Sequence, residues 1–183
     1  MTTTTVNSAF QEMSEIVVVS NPRSQVAWSN LVGSDAYQIK LEWLNPTGSY
    51  QELRLFVNGD IDDSHWMRQG LAAFSGNVGA DALAKAEVVA CPTASRVAAE
   101  ILVVRGIDNV VAVLSKEFRN QSVRLYSNLY SQSVTSITRL DLVCTDLVGI
   151  GVSSRFQLLK YQFPVTVESK QFITITSGVS VDE

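Results

Sequence analysis

The chain contains one histidine, His65, in the run Asp62-Asp63-Ser64-His65-Trp66. Triad chemistry needs a nucleophile, a base and an acid that orients the base, so any histidine-based triad here has to use this residue. No Gly-x-Ser-x-Gly turn accompanies it, and a loop histidine beside tryptophan reads as a surface or interface residue; no catalytic residue is assigned. Just upstream, Asn58, Asp60, Asp62 and Asp63 put oxygen-bearing side chains at nearly alternate positions, as loops that hold hard cations do. Counted from Asn58, an EF-hand loop needs glycine at the sixth position and a bidentate glutamate at the twelfth, where Asp63 and Gln69 stand instead. Asn58, Asp60 and Asp62 are therefore the candidate metal ligands, against the plainer reading of a solvated turn shaped by Asn and Asp. The three aspartates lie too close along one turn to flank a scissile glycosidic bond.

Gly149-Ile150-Gly151-Val152-Ser153-Ser154 has neither the lysine of a phosphate-binding loop nor the third glycine of a dinucleotide fingerprint, and reads as a turn between strands. No cofactor is expected. Cys91 and Cys144 have no Cys-x-x-Cys spacing and read as small buried thiols. Trp28, Trp43, Trp66, Tyr126 and Tyr130 could stack on sugars, although the alternation around Trp43 assigns that residue to a core.

The elements that would carry these residues are mostly strands. Tyr37, Ile39, Leu41 and Trp43 alternate with Gln38, Lys40 and Glu42, which defines a half-buried strand. Asn45-Pro46-Thr47-Gly48 then turns the chain and Leu53 to Val57 resumes β character, so a hairpin is expected. Residues 70–87 read as a long loop with a possible short helix at Ala80 to Ala86. Ser95 to Arg105 reads as a strand, with Ala98-Ala99-Glu100 leaving a helix open. Further short β segments follow at Val110 to Leu114, Val123 to Tyr126, Val134 to Cys144, Arg155 to Phe163, Val165 to Val167 and Phe172 to Thr176. Short β-branched or aromatic runs separated by Asn, Gly, Ser and Asp are the pattern of a β-sandwich or barrel. The expected organisation is a polar N-terminal arm over residues 1–15, a β-rich domain over 16–163 and a C-terminal arm or edge strands over 164–183.

Of the 183 residues, 46% are hydrophobic and 17% charged, which favours a packed core and, with charge below the roughly 25% of average chains, weakly favours an oligomer. The net charge of −4 comes without any basic stripe, so direct nucleic-acid binding is not expected. The start of the chain lacks the features of a secretory signal, which implies synthesis in a cytoplasm, and no apolar run approaches the roughly 20 residues of a membrane span.

Three stretches resemble a group of tailed-bacteriophage structural proteins: Leu53 to Asp60, with its Phe56-Val57-Asn58-Gly59-Asp60 turn, Ser136-Ile137-Thr138, and Ser153-Ser154-Arg155-Phe156-Gln157-Leu158. Val57 separates Phe56 from Asn58, Ser153 stands where that group has glycine, and Leu159-Lys160-Tyr161 displaces its Leu-Tyr pair. The resemblance implies an all-β fold: a jelly-roll-like antiparallel β-sandwich with extended arms and at most one short helix. It implies a non-enzymatic virion protein, most simply a capsid decoration (cement) protein bridging subunits of the major capsid protein. The alternative is a tail or tail-fibre protein, including a receptor- or carbohydrate-binding module. In the decoration reading the arms clamp neighbours, with Phe10, Met13, Phe172, Ile173 and Ile175 as the expected assembly contacts.

Overall fold

The computed structural model describes residues 10–32, 35–74, 77–119 and 122–161. Twelve strands appear among them: β1 (Phe10–Val17), β2 (Gln25–Ser29), β3 (Ala36–Leu44), β4 (Gln51–Val57), β5 (Trp66–Phe74), β6 (Asn77–Leu83), β7 (Glu87–Cys91), β8 (Arg96–Arg105), β9 (Val111–Arg119), β10 (Ser122–Tyr130), β11 (Arg139–Cys144) and β12 (Arg155–Tyr161). One 3-10 turn, Asp63–His65, precedes β5. The strands form an eight-stranded sheet in the order β1-β12-β3-β8-β9-β10-β5-β6 and a four-stranded sheet in the order β2-β11-β4-β7. All the pairings are antiparallel.

The order β1-β12-β3-β8 facing β2-β11-β4-β7 is that of a jelly roll, in which most successive strands change sheet. Two hairpins are added to this frame. The β5–β6 hairpin lies between β4 and β7 in the chain, and β9–β10 between β8 and β11; both extend the larger sheet beyond β8. At about 4.8 Å per strand, the larger sheet runs roughly 19 Å wider than its partner.

The core is what alternation demands. Tyr37, Ile39, Leu41 and Trp43 of β3 and Val97, Ala99, Ile101 and Val103 of β8 face Leu53, Leu55 and Val57 of β4 and Leu140 and Leu142 of β11, all of them buried. Trp43 is fully buried and donates its indole N–H to the Gly149 carbonyl at 2.9 Å. The glycines around it are required by contact: a Cβ at Gly149 would lie 2.1 Å from Cys144 Sγ, and one at Gly151 would lie 2.9 Å from the Leu44 carbonyl oxygen.

Three expectations are corrected. β3 and β4 do not form a hairpin, because they belong to different sheets. Asn45 shapes the arch between them: its amide donates to Ser49 O and Pro92 O, each at 2.8 Å, and its oxygen accepts from Thr47 N at 2.9 Å. Residues 70–87 are not a loop with a helical turn. β5 and β6 pair in register, Leu71 opposite Ala80 and Gln69 opposite Ala82, and this pairing outweighs the modest helix preference of alanine. The expected N-terminal arm is partly a strand, since Phe10 to Glu15 continue β1 along β12 at the sheet edge. The β2 strand, too short to announce itself by pattern, was not expected at all.

Removing the Trp43 side chain empties a fully buried site and deletes a buried hydrogen bond. Trp43→Ala is expected to cost about 3–5 kcal/mol, read as a lower midpoint in urea unfolding with an unchanged slope.

Candidate functional site

The polar residues between β4 and β5 are taken up by contacts within the fold. Asn58, at φ +55°, is a bridge: its oxygen accepts from Thr138 N at 2.8 Å and Arg139 N at 3.2 Å, while its amide donates to Ser136 O at 2.8 Å. Two of the stretches that carry the phage resemblance are thus one hydrogen-bonded corner. Asp60 Oδ2 lies 2.5 Å from His65 Nδ1 and accepts the Tyr130 hydroxyl. Asp62 caps the 3-10 turn through Ser64 N at 2.8 Å. Asp63 pairs with Arg54 at 2.5 Å and accepts Ala86 N at 3.0 Å. Of the candidate ligands, Asn58 turns away to residues 136–139 while Asp60 and Asp62 flank His65, at 2.5 and 3.8 Å, and no group of three His, Cys, Asp or Glu side chains is placed to hold a metal ion among the described residues.

Burial acts to raise the pKa of Asp60, but the hydrogen bonds from Tyr130, the Asp62 backbone and His65 outweigh it and hold the carboxyl below its ordinary value. The Tyr130 phenol is pushed up by burial and by the same carboxylate. Ring packing of Tyr130 on Trp66, at 4.9 Å between centroids, completes a corner that joins the β4–β5 connection to the end of β10.

The other singled-out residues disperse. Cys91 and Cys144 are buried and free, their thiols pushed up by burial. Met13 is exposed beside a register shift in β1, and Phe10 begins that strand. Phe172, Ile173 and Ile175 lie outside the described residues.

The structure also assembles a surface that pattern reading missed. The outer face of the wide sheet carries Leu102, Leu114, Phe118, Leu125, Leu129, Met67 and Leu71 on four adjacent strands, with Leu114 opposite Leu102 and Leu125 opposite Leu71. Leu114 is 53% exposed and Met67 61%. Leu102, Leu114, Leu125 and Leu71 line an open trough of about 980 Å³ with Gln69, Ser127, Glu100 and Lys116 between them. Monomeric soluble proteins rarely leave a contiguous apolar patch of more than a few hundred Å² uncovered.

The reverse side of the same strands is ionic. Arg68 of β5, 3% exposed, contacts Glu87 and reaches Asp81 at 2.6 Å, with its guanidinium 5.2 Å from the centre of the Tyr126 ring. Lys85 joins Glu52 at 2.5 Å and Glu87 at 3.3 Å. No helix among the described residues is long and apolar enough to cross a membrane. Comparison with protein-family models, curated proteins and solved structures finds no match to this chain.

Two outcomes test this geometry. Arg68→Ala leaves the buried Glu87 with Lys85 alone as its partner and is expected to cost about 3 kcal/mol, whereas the double change Arg68→Met with Glu87→Leu recovers most of that loss in chemical unfolding. Asp60, with its folded pKa lowered, stabilises the chain above the unfolded carboxyl value of about 3.9, and this contribution fades as pH falls through the folded value. The stability difference between wild type and Asp60→Asn should therefore shrink from pH 5 downward, measured as melting temperature against pH.

Proposed function

We propose that this chain is a non-enzymatic structural protein of a tailed-phage virion, a decoration protein that stabilises the head by bridging subunits of the major capsid protein. The observation that carries the reading is the aliphatic face of β8, β9, β10 and β5, which the other described residues leave exposed. A protein that works by burying surface needs a stiff platform and a broad apolar patch, and a standard interface covers roughly 1,600 Å² in total with an apolar centre. The polar residues within the trough, Gln69, Ser127, Glu100 and Lys116, suit a partner that is apolar at its centre and polar at its rim.

The jelly-roll strand order supports the same reading, as does the Asn58 corner that joins two of the phage-like stretches. The sheet edge is a poorer docking surface. Edge strand β1 carries Glu12 and Glu15 and a register shift between Glu12 and Ser14, features that discourage strand addition.

Leu114→Glu and Leu125→Glu place charges on the exposed face and are expected to change stability by no more than about 0.5 kcal/mol. Gold-labelled antibody should decorate the heads of purified virions, and either variant should lose its occupancy there. Absence of the protein from particles, or full occupancy by both variants, would overturn the proposal.

A further inference from the structure

Because the larger sheet is wider than its partner, the inner faces of β5 and β6 extend beyond β7, where the four-stranded sheet ends. A cleft of about 440 Å³ opens there, between those strands and the residues flanking β4 and β7, within the roughly 300–1,000 Å³ range of small-molecule sites. We infer that this cleft is a binding site for an uncharged saccharide, with Tyr50 at its mouth and Arg68 and Glu87 among its polar walls.

The floor is built to stay open. Gly70 and Gly79 project on the inner face of the β5–β6 hairpin, in register with Asp81 and Ala72 respectively. A Cβ at Gly70 would lie 2.4 Å from Asp81 Oδ1, so glycine there lets the carboxylate lean across the floor. A Cβ at Gly79 would meet nothing within 4 Å, so that position borders open space.

The walls supply the groups that hydroxyls need. Arg68, Lys85 and Arg124 are matched by Glu52, Asp81 and Glu87, so the lining is formally neutral and attracts neither anions nor cations as such. Ion pairs hold Arg68 to Glu87 and Asp81 and Lys85 to Glu52 and Glu87, and Arg124 donates to the hydroxyls of Tyr50 and Tyr126, so the walls present fixed donors and acceptors at close range, which suits a ligand with many hydroxyls and no charge. Arg68, almost fully buried, fixes the inner wall through its ion pairs with Glu87 and Asp81. Burial and the nearby Glu87 push the phenols of Tyr50 and Tyr126 upward, and both hydroxyl oxygens accept from the Arg124 guanidinium, at 3.4 and 3.3 Å. Tyr50 is 47% exposed and offers a ring against which the C–H face of a pyranose can pack.

This inference does not rest on the assembly reading, because Tyr50, Arg68 and Glu87 line the cleft and not the aliphatic trough, although the two share the β5–β6 rim at Leu71 and Ala80. The test is an array of neutral and anionic oligosaccharides probed with the full chain, followed by calorimetric titration of the neutral hits in solution, where free monosaccharides serve as competitors. Saturable binding to neutral glycans is expected. Gly79→Leu, which fills open space, and Tyr50→Ala, at an exposed position, should each weaken it about tenfold, with Leu114→Glu leaving it unchanged. If Gly79→Leu melts early, Tyr50→Ala decides alone. Failure to bind any neutral glycan, binding confined to anionic ones, or unchanged affinity in the folded cleft variants would overturn the inference.

Discussion

The free edge of β7 is the constraint around which the sandwich is arranged. Among the described residues β7 ends the smaller sheet, so one row of its backbone groups has no neighbouring strand there, yet all five of its residues are buried. A buried backbone N–H or C=O without a partner costs about as much as a lost hydrogen bond. Alternate residues of β9 in the facing sheet meet that demand: Ser115 donates to Val88 O at 2.5 Å, Glu117 accepts Ala90 N at 2.8 Å, and Arg119 donates to Ala90 O. Arg119 also pairs with Glu117, whose carboxyl burial pushes up in spite of these partners. Side chains of one sheet thus act as the missing strand of the other.

That arrangement explains why β9 is polar where a core strand would ordinarily be apolar. Its first inward residues, Val111 and Val113, pack in the core, and its later ones, Ser115 and Glu117, are spent on the β7 edge. The positions between them turn outward and carry Leu114 and Phe118. The next strand follows suit: Tyr126, Asn128 and Tyr130 face inward, and Leu125 and Leu129 outward. One clamp therefore accompanies both surfaces to which function is ascribed, the aliphatic trough outside and the ionic cleft inside.

Asn58 plays the corresponding part at the other end of β4. Its left-handed backbone and its side-chain bonds to residues 136–139 fix the approach to β11, which pairs with β4 and so closes the centre of the smaller sheet. The acidic turn that follows is then consumed locally, by Tyr130 and His65 at Asp60 and by Arg54 and Ala86 at Asp63, which is why oxygen spacing along the chain did not become a cluster in space.

Alternation along the chain by itself determined the β class, the strands around Tyr37 to Trp43, Leu53 to Val57 and Arg155 to Tyr161, and the burial of Trp43, because a period of two is a local property that burial on one face imposes directly. The pairing of those strands was decided only by the tertiary structure: the turn after Trp43 looks like a hairpin, yet it is an arch between sheets, since which strand lies beside β3 depends on residues far along the chain. The same holds for the functional surfaces. In β10, Val123, Leu125 and Leu129 alternate with Tyr126 and Tyr130, and both sets are apolar enough to claim the core. Pairing with β9 decides between them: Tyr126 stands beside Ser115 and Tyr130 beside Val111, so the tyrosines share the inward face that serves β7 and the leucines are left outside.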